Sequence, residues 1–409
     1  MQIDKYSQKI NDYLFIFFAF LLPLSRASDT LFTIYFSIYF IIYIIKNYHN
    51  SPILRERFFI FSLIFIIYVL ISISWNNLDN KRLGDSTHYV QWIALFGVAA
   101  YIMKNKEVID KAITAFLGGM LISETLSYGI YFGFWKINGK GVDDPTPFMM
   151  HIDYSVYIAI GALILLNRIF SSRYSLKQKI FMGIYFITMS GNLFINGGRT
   201  GQIAFIIAMV IAFFLHFKIT LKNFLIIFGL IFTIVTTAFY SSSNFHDRAV
   251  LAVEDIKKIS IDNNYSSSWG VRIAIWRITP MVIKDNLIFG SGINSQTTEY
   301  KKLFDNVDIP YITKEKKEFI YTHHLHSQYL QTVVELGIVG ILLQIYLFYL
   351  IFKFNIKVKE FKELKNIFLV IFIFSNFPEP LFLKQFTNIL YIFFVGILFG
   401  LHINNRAKE

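Results

Sequence analysis

Three short stretches of this sequence bring together side chains able to hold an anion and to move a proton. The first is Asn196-Gly197-Gly198-Arg199-Thr200-Gly201. Glycines allow backbone to approach a ligand closely, and the N–H groups at a helix start together with a guanidinium make an anion cradle. The plainer alternative is a tight turn whose arginine reaches to lipid headgroups. The second is Gly270-Val271-Arg272, followed by Trp276 and Arg277. Arg272 and Trp276 are four apart and share a face if the stretch is helical; the alternative is an interfacial amphipathic helix. The third runs from Thr322 to Leu330 and carries His323, His324 and His326, three of nine histidines. It opens an apolar run that goes on through Glu335, Gly337 and Gly340. A helix start favours the neutral imidazole, which can then act as a base. His-x-His also suits zinc, but there is no HExxH pattern and no cysteine, so no metal is expected. On a helix, His324 and His326 would lie on different faces and would not share a role.

Other titratable residues are weaker candidates. Asp143-Asp144 is adjacent rather than D-x-D and reads as a solvated turn. Asp153 and Glu124 fall at or within apolar runs, and Glu379 stands in Pro378-Glu379-Pro380 between the last two. Intramembrane carboxylates can mark a proton-coupled transporter, yet no paired broken helices or inverted repeat accompany them.

The elements that must position these residues follow from composition. Hydrophobic residues make up 55% of the chain and charged residues 16%, against about 25% charged in a soluble domain. A span takes about 20 residues. Apolar runs near 13–24, 30–45, 58–74, 89–103, 112–134, 153–167, 179–196, 201–217, 221–240, 328–352, 366–382 and 386–403 predict an all-α polytopic membrane protein of about twelve transmembrane helices. Soluble-enzyme, nucleic-acid-binding and disordered classes are excluded despite a net charge of +12. The absence of cysteine excludes disulfides, thiolate metal sites and a cysteine nucleophile. Asp4 and Asp12 spoil the basic start that a signal peptide needs.

Charge bias gives an orientation. With both termini cytoplasmic, the short outside segments hold only Arg26, Lys81, Arg82, Lys136, Lys140, Arg199 and Lys384, about a third of the Lys and Arg count inside, as the positive-inside rule requires. The expected organisation is helices one to nine over 1–240, a large periplasmic loop over 241–327, and helices ten to twelve with a cytoplasmic tail over 328–409. Within the loop, 247–260 and 270–286 are predicted helical and FGSGINS a turn. All three stretches then face the periplasm.

Together these features resemble the O-antigen ligase family, grouped with O-antigen polymerases among bacterial envelope glycan enzymes. The resemblance rests on the large loop between spans nine and ten, GGRTG before the eighth span, GVRIAIW and a glycine-rich turn in the loop, and HLHSQYL with LGIVG beyond it. It covers about 196–345 by motif. Ser327 stands where the family usually has Asn, which puts orientation rather than chemistry in question. The resemblance implies a C-class membrane glycosyltransferase fold in the bacterial inner membrane. It implies a ligase that moves a glycan from undecaprenyl pyrophosphate to a lipid A–core sugar, with inversion and without metal or other cofactor. Arg199 and Arg272 would bind the donor pyrophosphate and His326 would be the catalytic base. His324, Arg277, Gly198 and Ser327 would support or orient, and Arg26, Lys81 and Arg82 would add to the phosphate site. The partners implied are the lipid-linked donor, the lipid A–core acceptor and membrane lipids, with the chain a monomer. A polymerase joining lipid-linked repeats is the alternative within the family, and a transporter of lipid-linked glycans the alternative outside it.

Since no native cysteine competes, single cysteines placed in 241–327 are expected to react with a membrane-impermeant thiol reagent applied from the periplasmic side. Labelling only from the cytoplasmic side would reverse the orientation.

Overall fold

The computed structural model describes residues 2–75, 80–137 and 139–406, with no side-chain description for 2–7 and 80–82. Lys81 and Arg82 therefore lie outside the described side chains. The described chain is helical throughout its regular structure: α1 (Gln2–Leu21), α2 (Arg26–Asn47), α3 (Arg57–Ser72), α4 (Asn80–Val90), α5 (Ile93–Lys104), α6 (Ile109–Tyr131), α7 (His151–Phe170), α8 (Leu176–Ile195), α9 (Arg199–His216), α10 (Leu221–Ser241), α11 (Ser243–Asp262), α12 (Ser268–Val282), α13 (Gln296–Asn306), α14 (Lys314–Thr322), α15 (Gln328–Phe352), α16 (Lys359–Ser375) and α17 (Gln385–Arg406). The fold is an all-α polytopic membrane protein. Among the described residues, eight helices are long and apolar enough to cross a membrane: α2, α3, α6, α7, α9, α10, α15 and α17. The other four predicted spans fall on α1, α5, α8 and α16. Of these, α5 has 12 residues and α16 has 17, while α1 carries four charges and α8 opens on two lysines.

Close packing sets the bundle. Helix α17 is its axis, buried along its whole hydrophobic length. Gly396 and Gly400 let it lie against α5, where a Cβ at either would stand 2.7–2.9 Å from Val98, Leu95, Ala99 or Ile102 atoms. Small residues four apart permit this backbone approach between membrane helices. Aromatic rings fill the remaining space, with Trp92 stacked on Phe65 and edge-on to Phe382.

Segment 243–327 folds as a lobe with its own small core. Val271, Ala274, Ile275 and Ile278 of α12 pack with Tyr265, Tyr300, Ile309, Ile312, Ile320, Leu325 and Val334. The predicted loop helices correspond to α11 and α12. Helices α13 and α14 were not expected, because their short polar sequences carry no apolar period that stands out. The predicted 366–382 run is also corrected. Helix α16 stops at Ser375, and 376–384 is a loop containing Pro378 and Pro380, which cannot continue a helix.

The lobe is locked to the bundle at a break in α15. Gly337 has φ 64° and interrupts the helix. The turn at 287–292 enters this break and supplies the missing backbone partners: Ser291 N donates to Val334 O (2.9 Å), Gly292 N to Glu335 O (2.8 Å), and Ile338 N and Val339 N donate to Leu287 O and Ile288 O. Tyr68 Oη donates to both Phe289 O and Leu336 O at 2.9 Å. A Cβ on Gly337 would lie 2.3 Å from Ile288 O, in a backbone region that costs a residue with a side chain about 1–3 kcal/mol. Gly337→Ala is accordingly expected to lower the melting temperature of the purified protein clearly, while Gly183→Ala, with open space around it, leaves it unchanged or raises it. Equal melting of the two variants would contradict this packing.

Candidate active site

Where the lobe meets the ends of α7, α9 and α16 lies a cavity of about 620 Å³. Its polar wall carries His151, Arg199, Arg248, Ser268, Arg272 and His326, and its apolar wall Ile152, Ile203, Ile273, Trp276, Phe374, Phe377 and Pro378. Arg199 opens α9 and Arg272 stands on α12, yet both contact Ser268, which lies 69 residues after Arg199 and one helical turn before Arg272. Arg272 Nη1 donates to Ser268 Oγ at 2.9 Å and Arg199 Nη2 at 3.4 Å. The Arg199 guanidinium also lies over the Trp269 ring, 5.6 Å from its centroid, which fixes its plane. Arg272 and Trp276 do share a face of α12 and both line the cavity.

Glu379 is the centre of the charged network, and it is fully buried. Its Oε1 accepts from Arg272 Nη2 at 2.9 Å and faces His326 Nδ1 at 3.3 Å, while its Oε2 lies 3.0 Å from Lys384 Nζ. Lys384 also approaches Asp153 Oδ1 at 3.9 Å. Burial on its own would raise the Glu379 carboxyl. The hydrogen bond from His326 and the charge of Lys384 outweigh burial and hold the group well below the usual carboxylate range. An ionised carboxylate only accepts, so this contact places a proton on His326 Nδ1. The His326 ring is further fixed by stacking on Phe319, with 10° between planes.

The loop that bears Glu379 is itself tied down. Gln328 N donates to Asn376 O at 2.9 Å, and Phe382 N donates to Gln328 Oε1 at 3.2 Å. The start of α15 and the 376–384 loop therefore hold His326 and Glu379 together.

Several expectations are corrected. The histidine stretch is not helical: His323 is extended and His326 has φ 48°. His324 and His326 consequently meet edge to face, with ring centroids 4.8 Å apart, instead of lying on separate faces. Burial pushes the His324 imidazole down to about 3, so it is neutral. Ser327 is the N-cap of α15, accepting from Leu330 N at 3.4 Å, and is buried; it fixes the helix start beside His326, a supporting place. Arg277 turns away from the cavity, donating to Tyr265 Oη at 2.9 Å and lying 5.0 Å from the Tyr311 ring centroid. One residue along a helix from Trp276 rotates it by about 100°. Gly198 and Gly201 serve helix contact: a Cβ at either would stand 2.3 Å from Ser155 atoms of α7. The backbone cradle is occupied from within, since Gly198 N donates to Asn196 Oδ1 and Gly201 N to Ser155 Oγ. Arg26 lies over the Phe386 ring and lines no part of the cavity. Asp144 is paired with Lys140 at 3.1 Å in the 135–150 loop, also away from it.

His324, His326 and Glu379 offer ligand atoms within 4.8 Å of one another, a trio that could hold a metal ion. Two full positive charges already flank its carboxylate, so a divalent cation there would meet strong repulsion.

The family model described as O-Antigen ligase matches residues 184–345. This segment, which runs from α8 into α15, is of the O-antigen ligase family. Family membership makes it a glycosyl-transferring enzyme of lipopolysaccharide synthesis with ligase- or polymerase-type function. A comparison with curated proteins gives no match. The matched segment contains Arg199, Arg248, Arg272 and His326 and ends before Glu379. Glu379 joins the candidate site through these contacts; its signal in the sequence is a carboxylate held between two prolines amid apolar residues.

His324 and Glu379 both hold fewer protons folded than unfolded. The contribution of His324 is complete above its ordinary value near 6.5 and is lost as pH falls towards 3. That of Glu379 is complete above about 4.3 and is lost at still lower pH. The melting temperature is therefore expected to drop between pH 7 and pH 4.5, and to drop less in His324→Gln. An equal drop in the variant would contradict the burial of a neutral His324.

Proposed function

We propose that this enzyme is an O-antigen ligase working at the periplasmic face of the bacterial inner membrane, with both termini cytoplasmic. It transfers glycan from undecaprenyl pyrophosphate to a sugar of the lipid A–core. The observation that carries this reading is the convergence of Arg199, Arg272 and a Glu379-oriented His326 on one cavity with an apolar wall. The guanidiniums suit the two phosphates, because each presents planar, permanently charged donors. Phe374, Phe377 and Ile203 suit the adjoining prenyl chain.

The acceptor hydroxyl gives its proton to His326 Nε2 as its oxygen attacks the anomeric carbon. The bond from that carbon to the phosphate oxygen breaks, and the lipid pyrophosphate leaves with one more negative charge. Arg199 and Arg272 stabilise that charge as it develops. Single displacement inverts the anomeric centre. Glu379 orients the imidazole and stabilises the imidazolium, as the buried carboxylate of a catalytic triad does. No metal is needed when guanidiniums take the leaving group's charge.

The family also contains polymerases, and acceptor choice separates the two. Deletion of the gene is expected to remove all long lipopolysaccharide bands; retention of a single repeat on core would assign a polymerase.

In vitro, with purified donor and acceptor, Arg199→Ala and Arg272→Ala are expected to abolish transfer and donor binding, and Arg→Lys to rescue poorly. His326→Ala is expected to lose about 10²–10⁴-fold in transfer, the usual worth of a general base, while still binding donor. Transfer should persist in chelator. Near-normal transfer by His326→Ala, or activity lost to chelator and restored by a divalent cation, would overturn the mechanism.

A further inference from the structure

We infer that Arg248 is a third phosphate-contacting residue of this site. The inference rests on the pyrophosphate reading above and extends it to a residue outside the recognised motifs. Arg248 stands on α11, the first helix of the lobe, and lines the same cavity as Arg199 and Arg272. Its guanidinium packs over the turn that opens α9: a Cβ on Gly197 would lie 3.4 Å from Arg248 Nη2. The guanidinium thus lies at contact distance from this turn, at the entrance to the site.

Charge balance supports a ligand there. Arg199 feels the positive charge of both Arg272 and Arg248, offset in part by the carboxylate of Asp255 on α11, and three like charges around one cavity repel. The carboxylate of Glu379 is shared among Arg272, His326 and Lys384, and Asp153 faces Lys384. Among the described residues Arg248 makes no ion pair. An anion in the cavity relieves that repulsion.

The number of arginines also matches the reaction. A glycosyl lipid pyrophosphate carries two negative charges as a double diester. After the glycosyl bond breaks, the terminal phosphate is a monoester and can carry one more. With Arg272 partly neutralised by Glu379, the pair Arg199 and Arg248 meets the starting charge, and Arg272 is placed beside the base where the bond breaks. Arg248 sits on a helix separate from those bearing the other two, so seating of α11 couples lobe position to phosphate binding.

The test measures binding of undecaprenyl pyrophosphate and of undecaprenyl phosphate to the detergent-purified full-length protein, at low and high salt. Arg248→Gln is expected to weaken binding of the pyrophosphate about ten- to a hundred-fold, the range for a hydrogen bond to a charged group, and to weaken the monophosphate less. Arg248→Lys should recover part of the loss. Lys257→Gln removes the same charge from an exposed position on the same helix, so it controls for general electrostatics and should bind as wild type. Melting temperatures of all variants should agree, since Arg248 is exposed and holds no ion pair. Wild-type affinity in Arg248→Gln, with binding lost in Arg199→Gln, would overturn this inference and leave the proposed function standing. Equal weakening in Lys257→Gln would also overturn it, as a long-range charge effect. Failure of the wild-type protein to bind the lipid pyrophosphate would overturn both.

Discussion

An ionised carboxylate without solvent has to be compensated by its neighbours, and in this protein that requirement fixes the site. Glu379 is fully buried, and Arg272, Lys384 and His326 surround it. Removing one member of such a buried set costs about 3–5 kcal/mol, because the others are left uncompensated. Arg272 and His326 come from the lobe, and Lys384 from the end of the loop that bears Glu379. One carboxylate therefore ties the lobe to the bundle at the site. It also gives Arg272 and His326 a common reference point, which is what a proton acceptor and a leaving-group binder need if they are to act on one bond.

The bundle supplies this meeting point through breaks rather than through regular helix. Helix α15 is interrupted at Gly337 to admit the 287–292 turn, and its bonds to that turn seat the lobe. Helix α16 ends early, so that a proline-flanked loop can present Glu379. His326 takes a left-handed backbone conformation immediately before the Ser327 cap. Each irregularity lies where backbone groups find partners inside protein, the only setting in which a membrane protein tolerates them at depth. Irregular chain places His326 and Glu379, while the regular helices α9 and α12 present Arg199 and Arg272.

Much of this was legible in the sequence. Apolar runs separated by charge placed the membrane helices, because hydropathy is a local property. Arg199, Arg272 and His326 were singled out from residue type and local spacing, and all three reach the cavity. Relations across the fold were not legible. Glu379 meets His326 and Arg272 over 53 and 107 residues of sequence, and no local pattern encodes that pairing. Arg277 and Ser327 entered as supporting residues through the resemblance; helix rotation turns Arg277 away, and Ser327 caps α15 beside His326. Gly198 and Gly201 were read as room for a ligand, whereas the room is taken by Ser155 of α7. Arg248 had no motif to mark it and enters only through the packing of α11.

The role of Glu379 as the group that orients the base is open to one direct measurement. Glycan transfer and lipid-pyrophosphate binding are compared in wild type and in Glu379→Gln, using purified donor and acceptor. Loss of the carboxylate removes the acceptor that holds the His326 proton on Nδ1 and at the same time frees the Arg272 guanidinium. Transfer is predicted to fall by at least about 10²-fold, while donor binding is kept or strengthened. Transfer at the wild-type rate, or a loss explained entirely by lost donor binding, would contradict the role assigned to Glu379.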